Sequence, residues 1–344
     1  MNHVCDPRPC QGRPPTGRAD GEARRKGTPM RLCANWLPLS PGLTREVAAR
    51  CESAGLWGIG IGDSPNYGEL YSACTDALGA TSSLVVSTSV TNPVTRHWSV
   101  HASAVRALTS AHPGRFRLGF GRGDSAVRTF GLRPASLAGL EEFGRSVADS
   151  ARASGVAPFL LVAASGPATA RTAGRVADGV IAGVGADPVA LRTIRDRAHA
   201  ARGAGAAPPE VWASVRIAIG RDDDEVRGLR RRLVPRAVSA SHFAFASTFE
   251  GKNVPEEYAG VLAERYSGYD YGSHGRSGAT SNATMFADRP DIEDYLLDRF
   301  AVVGRADDCR ARLEDLSAHV DGIYLSLLFE DALPQIDLIG GMLA

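Results

Sequence analysis

Two short polar clusters carry side chains able to do chemistry: Thr91, Asn92, Arg96 and His97 in one, and Arg122, Gly123, Asp124 and Ser125 in the other. Each follows an apolar run, residues 84–90 and 115–120, and the stretch between them, 98–110, has apolar spacing compatible with a helix. That is the pattern of a strand, a crossover helix and a second parallel strand, whose carboxyl-end loops are where α/β folds place ligands and catalytic groups. The two loops therefore bring a carboxylate, two guanidinium groups, an imidazole and small polar side chains to one face. Such a set can orient a polar ligand and hand over a proton. A third candidate is Ser165–Gly166–Pro167, where the apolar run 159–163 meets a helix opened by proline. Consecutive N–H groups at a helix start form an anion site that needs no cationic side chain, and a plain strand-to-helix turn is the alternative.

Chemistries with strong signatures are excluded one by one. GDS occurs at 62–64 and again at 123–125, which would suit a serine nucleophile after a strand, but no matching base follows: Asp315 and His319 do not make a DxxH. GFGRGD at 119–124 has Asp124 where a dinucleotide loop needs glycine, and no Walker lysine follows. His97 and His101 stand one helical turn apart without a third ligand, and HExxH is absent, so no metal is expected. The six cysteines show no CxxC spacing, which argues against zinc, a redox dithiol and a secreted disulfide framework. A cytoplasmic location is the expectation.

The elements that must position these residues alternate along most of the chain. Strands are expected at 31–36, 57–62, 84–90, 115–120, 159–163, 179–182, 211–219 and 322–328, with helices between them. Residues 220–303 break the rhythm with helices and a Gly-, Tyr- and Ser-rich loop, an expected insertion after strand seven. This alternation predicts an α/β fold, a (β/α)8 TIM barrel over 30–344, with an open doubly wound sheet as the alternative. Residues 1–29, rich in Pro, Gly and Arg, are expected to form a disordered leader, with the fold starting at Met30. A net charge of +1 gives no global field for nucleic acid, and no apolar run is long enough for a membrane span. A small-molecule substrate is the expected partner.

Taken together and in order, GIGDSP at 60–65, SVTNPVTRH at 89–97, GFGRGDSAV at 119–127, AASGP at 163–167, RVADGVI at 175–181, YDYGSH at 269–274 and DRFAVVG at 298–304 resemble the bacterial-luciferase-like flavin oxidoreductases. Within that family the pattern is similar to the methylenetetrahydromethanopterin reductase branch. The resemblance implies a TIM barrel, usually dimeric, that binds coenzyme F420 or FMN at the carboxyl ends of the strands. It implies that Ala164, Ser165, Gly166 and Pro167 hold the cofactor phosphate. Asp63, Ser89, Val90, Thr91, Asn92, Gly121, Arg122 and Gly123 would line the ring pocket, with a non-proline cis peptide at Ser89–Val90. Hydride chemistry belongs to the ring, which accounts for the missing triad.

The implied activity is an F420-dependent oxidoreductase moving a hydride between the cofactor and a small organic substrate. An FMN monooxygenase fed by a separate flavin reductase, and a degenerate barrel that binds cofactor without turnover, are the alternatives. Asp124 and His274 are the candidate catalytic acids, with helix capping the ordinary alternative for Asp124. Three departures from the family pattern bear on this: Asn35 where the reductases usually carry an acid, Ala168 where a lysine commonly follows SerGlyPro, and a shortened segment between Phe143 and Phe159.

Overall fold

The computed structural model describes residues 29–64, 66–273 and 280–344. All of the expected leader except Pro29 lies outside the described residues, as does His274. The chain runs β1 (Leu32–Trp36), α1 (Pro41–Ser53), β2 (Gly58–Ile61), α2 (Leu70–Gly79), β3 (Val85–Thr88), α3 (Trp98–Ala111) and β4 (Phe116–Phe120). A short α4 (Ser125–Thr129) and a long α5 (Leu137–Ala153) precede β5 (Leu160–Ala164), α6 (Pro167–Val176), β6 (Gly179–Ala182), α7 (Pro188–Ala200) and β7 (Glu210–Ile219). Then come α8 (Asp223–Phe245), α9 (Glu256–Ser267), α10 (Pro290–Phe300), β8 (Ala301–Gly304), α11 (Ala306–His319), β9 (Gly322–Ser326) and α12 (Ala332–Leu343).

Strands β1 to β7 and β9 pair in parallel and close on themselves through β6–β7, β7–β9 and β9–β1. The (β/α)8 barrel is thus the architecture, and the open sheet is not. β8 was not expected, because it lies inside the stretch assigned to helices and loop. β7 has 10 residues against 4 in β6, so its second half outruns its neighbour. Residues Arg216 to Ile219 take up Ala301 to Gly304 instead, which satisfies backbone groups that would otherwise be left bare. With only two β-branched residues, Val302 and Val303, following an amphipathic helix directly, this strand leaves little trace in the sequence.

Local signals start the helices where they are found. Ser40 accepts a hydrogen bond from the Leu43 amide ahead of Pro41 in α1, and Asp187 does the same for Ala190 ahead of Pro188 in α7. Asp222 caps α8, with Asp223, Asp224 and Glu225 in its first turn. The arginines that follow do more than form the solvated face their spacing suggests. Arg230 reaches Asp294 and Asp298 of α10 within the insertion, and Arg232 reaches Glu330 and Asp331 after β9, tying the insertion to the barrel.

Three apolar clusters result. One fills the layer between strands and outer helices, a second lies within the insertion around Leu233, Phe245, Phe286 and Phe300, and the third is the barrel interior of Cys33, Phe159, Leu161, Ile181, Trp212 and Tyr324. Below the third, Glu210 at the start of β7 accepts from Arg117 Nη1 at 2.8 Å, Arg31 Nη1 at 3.0 Å and Trp212 Nε1 at 2.9 Å. Burial alone would raise the Glu210 pKa, but Arg117 and Arg31 hold it below the ordinary carboxylate value. The guanidinium of Arg117 also lies 3.8 Å from the centroid of the Phe159 ring and 4.6 Å from that of Trp57. Removing the carboxylate leaves two guanidinium groups facing each other at the barrel floor. Glu210→Ala is therefore expected to destabilise the fold by about 3–5 kcal/mol in urea unfolding, and a loss below about 1 kcal/mol would show that the clamp is dispensable.

Candidate active site

The site grows from the carboxyl ends of the strands. Asn35 on β1 donates through Nδ2 to Ser326 Oγ of β9 at 3.0 Å, while its Oδ1 is buried without a hydrogen-bond partner among the described residues. Beside it β2 must carry glycine: a Cβ on Gly60 would stand 2.6 Å from Asn35 Oδ1 and 2.7 Å from Ser89 Cβ. Ser87 and Tyr324 meet through their hydroxyls at 2.9 Å below this layer. The Ser89–Val90 peptide is cis, as the family resemblance implied.

The loop after β3 is stitched to β4, with the Thr91 amide donating to Gly119 O and the Gly121 amide to Thr91 O. Asp63, from the loop after β2, accepts from Thr91 Oγ1 at 2.7 Å and from Arg96 Nη1 at 2.6 Å. Asn92 folds its own loop by accepting from the amides of Val94 and Thr95. Gly123 has φ of +82°, and a Cβ there would collide with Asn92 and Val127, so only glycine fits. Asp63, Thr91, Asn92 and Gly123 are thus brought together as one rigid rim.

Val90 and Ala163 pack against the barrel interior, and a Cβ on Gly121 would sit 3.4 Å from each of them. Gly183 adds another position without a side chain, next to Ser165. Val90, Gly121 and Ala163 thus form a small apolar patch at the strand ends, a floor without bulky side chains at Gly121.

At the end of β5, Ala164 is buried and Gly166 is the N-cap of α6. The cap makes no side-chain hydrogen bond, unlike the caps of α1, α2, α3, α5 and α7, each of which does. The orphan amides of the first α6 turn are thereby left available to an anion.

Arg122 and Asp124 take other positions. Arg122 is exposed and donates through Nε to Ala135 O at 2.6 Å. Asp124 precedes α4 but makes no capping bond. It pairs instead with Arg128, whose guanidinium lies 4.8 Å from the Tyr271 ring centroid. The two histidines one turn apart separate in role: His97 caps α3, and His101 is buried with Nδ1 2.6 Å from Tyr71 OH.

Two cations escaped the sequence reading. Arg216 of β7 is in register with Ser326, on the same inward face as Trp212. Burial and the nearby Arg236 push its pKa down to about 10, with Tyr269 acting the other way. Lys252, from the insertion, is 1 % exposed and donates through Nζ to Ala244 O, and its Nζ lies 3.9 Å from where a Gly166 Cβ would be. Strand periodicity could have pointed Arg216 inward. For Lys252 the only hint is rarity, because Lys26 is the one other lysine in the chain.

Residues 38–321 match the family described as luciferase-like monooxygenase. The chain belongs to that family. It is accordingly an oxidoreductase of the flavin- and F420-dependent kind, working by hydride transfer, and the floor, the polar rim and the open helix start fit such a cofactor. The chain is 26% identical over 312 residues to the 5,10-methylenetetrahydromethanopterin reductase of Methanolobus tindarius, covering 83% of this chain and 90% of that protein. Its fold is similar to that of the coenzyme F420 dependent tetrahydromethanopterin reductase of Methanopyrus kandleri, with TM-score 0.66, 20% identity, and 91% and 98% of the two chains covered. The EDTA monooxygenase of Chelativorans sp. BNC1 is similar too, at TM-score 0.64, 15% identity, and 92% and 93% coverage.

A side chain placed on the floor would block a planar ring without unfolding the barrel. Gly121→Val is expected to weaken FMN or F420 binding at least about ten-fold in a fluorescence titration while the melting temperature holds. Unchanged binding would show that the ring rests elsewhere.

Proposed function

We propose that the cofactor is F420 and that this enzyme exchanges a hydride between it and a small organic substrate in the barrel mouth, without oxygen. The observation that supports this reading best is the rim formed by Asp63, Thr91, Asn92 and Arg96, because it joins the GIGDSP and SVTNPVTRH segments that carry the resemblance to the reductase branch. When bound, the cofactor supplies the hydride chemistry. The chain's own residues orient and exclude. Val90, Gly121 and Ala163 would support one face of the ring, Ser89, Thr91, Asn92 and Gly123 its edge, and Ala164 to Pro167 the phosphate. Arg122, exposed and donating to Ala135 O, would reach the cofactor only by leaving that bond.

Asn35 is neutral, so an acid for developing charge must come from elsewhere, and we assign that role to Asp124, with His274 next. An iminium carbon would accept hydride without such help, whereas a C=O or C=C bond would need it. A second reading, FMN-dependent monooxygenation with a separate reductase, is favoured by the family's own description and by the likeness to EDTA monooxygenase. We also propose a homodimer. Trp98 and Val100 of α3 are 37% and 48% exposed, beside a shallow groove of small residues including Ser103, Ala104 and Ala107 that a second copy could cover. A cytoplasmic setting is supported by the free, buried thiols of Cys33, Cys51, Cys74 and Cys309. Among the described residues, no helix is long and apolar enough to cross a membrane.

Titrating the purified protein with F420 and with FMN, while following the absorbance change with and without oxygen, separates the readings. Oxygen-independent oxidation of reduced F420 by a panel of carbonyl or imine substrates, or reduction of F420 by the corresponding alcohols or amines, is expected. Oxygen consumption with reduced FMN would favour the monooxygenase, and binding without any redox change a degenerate barrel. Within the active enzyme, Asp124→Asn is expected to lower turnover by roughly 10²–10⁴-fold with cofactor affinity unchanged. Wild-type turnover in that variant would move the assignment to His274.

A further inference from the structure

Lys252 is a buried ammonium group without a carboxylate. It lies on the turn between α8 and α9, 1 % exposed, and of its three N–H donors one is taken, by Ala244 O. No carboxylate among the described residues forms an ion pair with it. Its charged neighbour is another cation, Arg299, whose Nη2 donates to the Lys252 carbonyl. Arg299 has a counter-ion in Asp187 at 3.7 Å, and Lys252 has none. Burying a cation unpaired is unfavourable, and the lysine pKa falls to about 8, first through burial and then through Arg299. A site that concentrates uncompensated positive charge is built for an anion.

The direction in which that anion would lie is given by Gly166. A Cβ at this N-cap would meet Lys252 Cε at 3.7 Å and Nζ at 3.9 Å, and no other atom within 4 Å. The space where a capping side chain would project is therefore open, and bordered by the lysine. The turn carrying the lysine is held firmly. Asn253 Nδ2 donates to Asp187 Oδ2 at 2.9 Å, Arg299 Nη1 donates to Asn253 O at 2.9 Å, and Gly251, at φ of +69°, packs against Thr193 of α7.

We propose that Lys252 is the cation of the cofactor's phosphate site, facing the same phosphate as the free amides that open α6 and taking the place of the charge that Ala168 does not supply. This rests on the reading of α6 as the phosphate site. It makes the insertion, and not the barrel alone, a part of the cofactor site. The phosphate would be clamped between a barrel helix and the insertion, so that filling the site fastens one to the other.

The test compares phosphorylated and phosphate-free ligands on the full chain: FMN against riboflavin, and F420 against its phosphate-free deazaflavin, by fluorescence titration of wild type, Lys252→Met and Lys252→Arg. Wild type is expected to prefer the phosphorylated ligand. Lys252→Met should lose about ten-fold or more of that affinity while keeping its affinity for the phosphate-free ligand, and Lys252→Arg should retain the preference. Methionine fills the space of the lysine stem, so the ligand-free melting temperature should hold or rise. Should Lys252→Met fail to fold, Lys252→Gln, which keeps a donor for Ala244 O, carries the same comparison. Lys252→Met or Lys252→Gln with the undiminished phosphate preference of wild type overturns the lysine assignment and leaves the α6 site standing. A wild type with no phosphate preference overturns the α6 reading itself.

Discussion

Closing a parallel barrel buries its floor, and the structure depends on how Glu210 settles the charge there. Arg31 precedes β1, Arg117 belongs to β4 and Glu210 begins β7, so one carboxylate ties together strands from around the ring. The excess positive charge is spread over the faces of Trp57, Phe159 and Trp212. With the amino-terminal end plugged in this way and the middle filled by Leu161, Trp212 and Tyr324, the interior opens only at the carboxyl ends. Asn35 Oδ1, buried without a hydrogen-bond partner among the described residues, lies there alongside the inward-facing Arg216.

The length of β7 links this barrel to the insertion. Its first residues seal the barrel against β6, and its last ones carry β8, from which the insertion's separate apolar core is hung. That placement brings Lys252 to α6. It also sets Tyr269 over His242, with ring centroids 3.7 Å apart, near the guanidinium of Arg216. The loops after β2, β3 and β4 thus meet the insertion, with Arg128 of α4 set over the Tyr271 ring.

Residue order revealed the barrel because its strands are buried on both faces and read as short apolar runs between capped helices. It also revealed the rim and the SerGlyPro turn, since those depend on local backbone needs: an uncapped helix start, an asparagine turn, a glycine at positive φ. What it concealed was non-local. Ala168 reads as a missing charge until the fold carries Lys252 to Gly166. RGLRRRLVPR, residues 227–236, reads as a solvated face until α10 and the turn before α12 bring their acids to Arg230 and Arg232. β8 is too short and too close to α10 to show a period, and Glu210 is one glutamate among many until two arginines converge on it.

A crystal structure with F420 or FMN bound tests the central claim most directly. The ring is predicted to lie over Val90, Gly121 and Ala163 at the barrel mouth, with its phosphate within hydrogen-bonding distance of the Ala168 and Thr169 amides. A cofactor seated outside the mouth, or a phosphate bound away from the start of α6, would contradict it.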